Sequence, residues 1–159
     1  MGQQQLLLVI LVTIVVGIAT VVALNIFGTS AEQANHDAVR QDLAQIATSA
    51  QGWYIKPAML GGGDNSFANV DFRKVTFPGT IGADEAGDPD PMISTNMNGT
   101  YIIQDGANAT EFRVRGYPSS QEGYEEGEVN DEYFEVRVGR GTMTASPALR
   151  DEAPALPAN

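Results

Sequence analysis

Between Leu6 and Phe27 the chain runs for 22 residues, LLLVILVTIVVGIATVVALNIF, without an Asp, Glu, Lys, Arg, His or Pro. As an α-helix such a stretch reaches about 33 Å, enough to cross the hydrocarbon core of a bilayer. A secretory signal has a positive start, a core of roughly 7–15 apolar residues and a small-residue cleavage site. This core is longer, and only Met1, Gly2, Gln3, Gln4 and Gln5 stand before it. The segment is therefore expected to be kept and to work as a membrane-competent helix. Thr13 and Gly17, like Ala19 and Ala23, are four apart on one face, so neighbouring helices can approach closely there.

Asn25, Gly28 and Thr29 loosen the apolar pattern and mark the expected membrane boundary. Ser30-Ala31-Glu32-Gln33 then reads as a capping box, in which the Ser30 hydroxyl accepts from the Gln33 backbone and the Gln33 side chain reaches back. A second helical stretch runs from there to about Tyr54. Its larger apolar residues, Val39, Leu43, Ile46, Ala50 and Trp53, are spaced 4, 3, 4 and 3, one narrow stripe on an otherwise polar helix. Lys56 precedes Pro57, which disfavours helical geometry and predicts the stop. Whether the two stretches form one rod or bend near Gly28 is left open by the residues.

Gly61-Gly62-Gly63-Asp64-Asn65 reads as a hinge that ends the helical part. The connector to Asn98 is mixed: Val70 to Phe77 predicts at most a short strand, and Ile81 to Pro91, rich in Gly, Asp and Pro, predicts a loop. Clearer strands follow. Tyr101 to Ile103 leads through Asp105-Gly106 into Thr110 to Gly116, where Phe112 and Val114 alternate with Glu111, Arg113 and Arg115. After an acidic segment from Tyr117 to Glu132, Phe134, Val136 and Val138 share a face opposite Tyr133, Glu135 and Arg137. One apolar and one charged face per strand predict an antiparallel sheet covered on one side, with the stripe from Val39 to Trp53 as its cover. The fold class expected is α+β: a long N-terminal helix, apolar in its first half and amphipathic in its second, packed on a small antiparallel sheet, with an extended C-terminal tail. The boundaries expected are 1–29 for the apolar helix, 30–56 for the amphipathic stalk, 57–145 for the β-rich domain and 146–159 for the Ala/Pro-rich tail.

Charge narrows the partners. Of the net −11, residues 61–159 carry −10, a surface that repels nucleic acid and anionic headgroups. Nucleic acid is not expected as a partner. The short neutral start and the acidic remainder favour the N-terminus inside and the domain outside. Cysteine is absent, which removes disulfides, thiolate catalysis and thiolate metal sites together.

No catalytic, cofactor-binding or metal-binding residue emerges. His36 is the single histidine, without an HExxH partner, and reads as a surface residue. There is neither a GxSxG elbow nor a GxxxxGK[ST] loop, and no spacing pairs two carboxylates for acid and base work. Asp84, Glu85, Asp88 and Asp90 could offer oxygens to calcium, but Pro89 and Pro91 and the wrong spacing favour a solvated acidic loop. Asn98 and Asn108 head sequons for N-glycosylation, a frequency close to chance. No enzyme activity and no cofactor are expected.

This plan resembles the type IV pilins and pilin-like filament subunits, across nearly the whole chain in architecture and over residues 2–54 in sequence. The resemblance implies a leader ending in Gly, removed by a prepilin peptidase; Gly2-Gln3 looks like such a junction, with Gln3 the first mature residue. It also implies a mature helix that waits in the cytoplasmic membrane and then packs in a filament core. Here that assembly helix would use Leu6, Leu7, Ile10, Thr13, Ile14, Gly17, Ile18, Val21 and Leu24. Several family features are missing. The glutamate usual at the fifth mature position is Leu7, with Gln3, Gln4 and Gln5 the nearby hydrogen-bonding residues, and the basic leader, the helix-loosening Pro and the C-terminal cysteine pair are absent. Expected, then, is a structural subunit of an extracellular, cell-surface filament, a helical homopolymer whose partners are copies of itself, the membrane before assembly, and a surface or cell adhesion target. The alternative is a single-pass membrane protein, or a pseudopilin, with an exported partner-binding domain.

Overall fold

The computed structural model describes residues 2–84, 87–104, 110–120 and 132–146. Helix α1 runs from Gly2 to Ile55 as one uninterrupted element. Ser30 therefore lies inside a helix and starts none, which corrects the capping-box expectation. A capping box works only where the first backbone N–H groups of a helix lack partners, and here the preceding turn supplies them. Nothing upstream breaks that turn: Gly28 costs only about 1 kcal/mol relative to Ala, and the Thr29 hydroxyl donates to the carbonyls of Asn25 and Ile26 at 3.2 and 3.1 Å.

Two compact units divide the chain, Met1–Ala34 and Asn35–Asn159. In the second, the expected stripe is the lid of the core. Val39, Leu43, Ile46 and Ala50 are buried, as are Ala47 and Tyr54, while Trp53 is only half-buried. Tyr54 takes the place foreseen for Trp53, stacking on Phe67 at 4.5 Å between ring centres.

Six strands follow: β1 (Thr80–Ala83), β2 (Pro89–Thr95), β3 (Gly99–Ile103), β4 (Glu111–Pro118), β5 (Phe134–Gly139) and β6 (Thr142–Ala145). They form a single antiparallel sheet in sequence order. Tyr101, Ile103, Phe112, Val114, Phe134, Val136 and Val138 bury their side chains beneath α1, the alternation expected for β4 and β5. At Gly116 the helix lies close on β4: an added Cβ would lie 2.9 Å from Val39 Cγ1. The α+β architecture is thus as expected; residues 147–159 of the anticipated tail, the turn at Asp105-Gly106 and positions 121–131 of the acidic segment lie outside the described residues.

The connector differs from expectation in two places. Strands β1 and β2 take up the two ends of the loop expected over Ile81 to Pro91, at positions 81–83 and 89–91, while Asp84, Gly87 and Asp88 between them are not strand. The prolines are tolerated because β2 pairs with β3 only through Ile93, Ser94 and Thr95, so Pro89 and Pro91 lie ahead of that ladder. Conversely, Val70 to Phe77 forms no strand. It is a series of turns that drops Val70, Phe72 and Val75 into the core, held by Phe72 N–H on the Pro91 carbonyl at 2.9 Å.

The glycine run is no hinge either. It folds back on the end of α1, where Gly63, Asp64 and Asn65 donate backbone N–H groups to the carbonyls of Trp53, Lys56 and Tyr54 at 2.8, 3.1 and 2.8 Å. Those carbonyls have no intrahelical donor, so the run caps the helix. A Cβ at position 62 would meet the Lys56 carbonyl at 2.1 Å, which explains glycine there.

On the far face of the sheet, Glu135 stands opposite Arg115 and beside Arg137, accepting from their Nε atoms at 3.3 and 2.7 Å. Burial pushes its carboxyl up, but the Arg137 and Arg115 guanidinium groups outweigh this and hold it below the ordinary 4.5. A depressed carboxyl stabilises the fold above its unfolded value, and that contribution is lost as pH falls through the folded value. The wild-type melting temperature is therefore expected to fall on going below about pH 4.5, and Glu135→Gln should flatten part of that slope. Parallel pH profiles of the two proteins would refute the role of Glu135.

Candidate functional site: an apolar helix left open

In the first unit, sixteen large apolar side chains from Leu6 to Phe27 are exposed, each by 47–73 %. Every residue expected on the assembly face is among the exposed positions: Leu6, Leu7, Ile10, Thr13, Ile14, Gly17, Ile18, Val21 and Leu24. A soluble monomer does not leave so continuous an apolar surface to water. By length and composition, this one helix could cross a membrane.

Two of its polar side chains are arranged to suit an apolar medium. The hydroxyls of Thr13 and Thr20 donate to the carbonyls of Ile10 and Val16, both at 2.8 Å, so neither presents an unmet donor to its surroundings. A Cβ built on Gly17 meets nothing within 4 Å, which leaves a shallow notch beside Thr13. Gly2 and Gln3 lie in the first turn of α1, and the place of the missing glutamate is taken by Leu7, 68 % exposed.

No protein-family model, curated protein or solved structure matches the chain. From Leu6 to Phe27 the surface that α1 offers is apolar except at Thr13, Gly17, Thr20 and Asn25.

The remaining candidates sit in the second unit, and there the structure holds a cluster that spacing did not reveal. One oxygen of Asp42, Oδ2, accepts from Asn96 Nδ2, Asn98 Nδ2 and Tyr101 Oη at 2.8, 2.8 and 2.6 Å. Two turns earlier on α1, Asn35 donates to the Asn98 carbonyl at 2.9 Å and accepts from Ser120 N–H at 3.1 Å. Burial first, then the Asp42 carboxylate, push the Tyr101 phenol far above its ordinary 10.0, so it remains a donor. The cluster fastens the β2–β3 turn to the helix. Asp42 neighbours the apolar stripe in sequence, and a carboxylate next to a buried leucine is the one hint the sequence held.

Asn98 is consequently engaged at the nitrogen a glycan would occupy, while Asn108 lies outside the described residues. His36 is half-buried, packed edge-on to Phe134 at 5.5 Å, where a surface residue was expected. Of the acidic residues considered for calcium, Asp84 after β1 and Asp90 in β2 turn their carboxylates onto the backbone N–H groups of Asp88 and Met92, both at 2.8 Å, and Glu85 lies outside the described residues. Among the described residues no three acidic, His or Cys side chains converge to hold a metal.

Proposed function

We propose that this chain is a structural subunit of an extracellular filament, inserted in the membrane by residues 6–27 before assembly and polymerised through the same residues afterwards. A single contrast carries the reading: within one helix, the apolar stripe Val39, Leu43, Ile46, Ala47, Ala50 and Tyr54 is buried in the core of the sheet domain, and the large apolar side chains from Leu6 to Phe27 are all exposed. Large apolar side chains gain about 1.5–3 kcal/mol each on burial, so outside a bilayer this helix requires partners. The likeness to pilin-like subunits in layout points to copies of the same chain as those partners, with no catalytic role.

Electron microscopy of material sheared from cells tests it. Filaments containing this protein, pelleting from the medium, are expected. If shearing releases none and membranes retain all of it, the chain is a single-pass membrane protein and the filament reading fails.

Gly17→Leu gives a finer check. Nothing in the chain opposes the added side chain, so the domain should melt within about 1 °C of wild type, since no buried contact changes. Filament yield should drop at least about tenfold if helices approach at the notch, as small-residue crossings do. Unchanged yield would place the crossing elsewhere.

A further inference from the structure

Along the exposed half of α1, Leu7, Leu11, Ile14, Ile18, Val21 and Asn25 follow at spacings of 4, 3, 4, 3 and 4. This is the seam of a heptad repeat, in which alternate three- and four-residue steps keep one narrow face turned to a neighbouring helix. Thr13, Gly17 and Thr20 lie off that face. Asn25 is the one polar member of the seam, and its side chain differs from the other polar groups of the span. The hydroxyls of Thr13 and Thr20 are bonded to their own helix, whereas the Asn25 amide makes no hydrogen bond among the described residues. An amide carries both donors and an acceptor, so two copies of it satisfy one another.

We propose that residues 7–25 form a parallel, in-register helix–helix seam between two copies of this chain in the membrane, with Asn25 paired to Asn25 as the pin that fixes register. The membrane supplies the geometry. Copies inserted with the same orientation hold residue 25 at the same depth, so the two amides meet at equal height. Apolar side chains gain little from each other relative to lipid, and an interhelical amide pair is what distinguishes association from dispersal. The face is open along its length: the five apolar seam side chains, Leu7, Leu11, Ile14, Ile18 and Val21, are each exposed by 55–68 %. One seam leaves the notch at Gly17 free for a different neighbour.

The chain has no cysteine, so a single introduced one reports contact without background. Gly28 is the next seam position, three residues past Asn25, and a Cβ there meets nothing within 4 Å. Full-length Gly28→Cys protein in phosphatidylcholine vesicles should give a disulfide-linked dimer on mild oxidation. Adding Asn25→Leu should lower the dimer fraction about fivefold or more, as loss of one interhelical amide pair implies, and Asn25→Gln should restore most of it. Ala23→Cys, on the opposite side of the helix, should cross-link poorly. Equal cross-linking with asparagine and leucine at position 25, or equal cross-linking at positions 23 and 28, would overturn the proposal. Asn25-dependent dimers from a chain that yields no filaments would leave the seam standing and remove the filament reading. Filaments with cross-linking indifferent to Asn25 would do the reverse.

Discussion

Asp42→Ala is expected to lower the stability of the sheet domain by about 3 kcal/mol, or on the order of 10 °C in melting temperature. Three donors converge on one Asp42 oxygen, from Asn96, Asn98 and Tyr101. Hydrogen bonds to a charged acceptor contribute about 1.5–3 kcal/mol each when the donor is left without a substitute. The sum is discounted because Asp42 is only half-buried and water can reach the two asparagines. Tyr101 has no such relief, being fully buried. Alanine's better helix propensity returns only about 0.5 kcal/mol. Tyr101→Phe removes the buried hydroxyl with its partner, so Asp42→Ala should cost less in that background, with a coupling of about 1 kcal/mol. Thermal unfolding of the four proteins measures it. Strict additivity would show that the carboxylate and the phenol do not act together.

Phe67→Ala should be as damaging or more, at about 3–5 kcal/mol. Phe67 is fully buried, and its ring is stacked between Tyr54 on α1, at 4.5 Å, and Phe112 on β4, at 6.1 Å. Removing it opens a cavity between helix and sheet that neither rigid element can close. Phe67→Leu keeps most of the volume and should cost less than half as much. Denaturant midpoints with unchanged slope would be the expected signature. A loss under about 1 kcal/mol for the alanine variant would show that the loop collapses into the space.

Such residues show where sequence reasoning stops. Val39, Leu43, Ile46 and Ala50 could be placed because a helix repeats, and so could Phe112, Val114, Phe134, Val136 and Val138, because a strand alternates. Phe67, Val70, Phe72 and Val75 are as deeply buried, yet they arrive by turns, which impose no period. Strands β1 and β2 were hidden for a related reason: Gly82, Pro89, Asp90 and Pro91 have poor strand propensity, and these positions are extended because β2 pairs with β3 and β1 with β2. The Ser30 box shows the converse failure, a correct local signal overruled by the helix already running into it. As for the candidate site, the apolar span was legible outright, since lack of charge over 22 residues needs no tertiary context. The Asp42 cluster was not, because residues 42 and 96 to 101 meet only through the fold.

The order of the strands bears on how the domain comes into being. Every pairing in the sheet joins strands adjacent in sequence, from β1 to β6 without a crossover. A chain that enters a compartment from its N-terminal end delivers α1 first, and each new strand then finds its partner already waiting. Ring closure is short at four of the five steps, the 15-residue connection 119–133 between β4 and β5 being the longest, and closure entropy grows only slowly with loop length. No strand has to be threaded between two others. In a chain delivered in this way, the sheet can be completed strand by strand in the order in which its residues arrive.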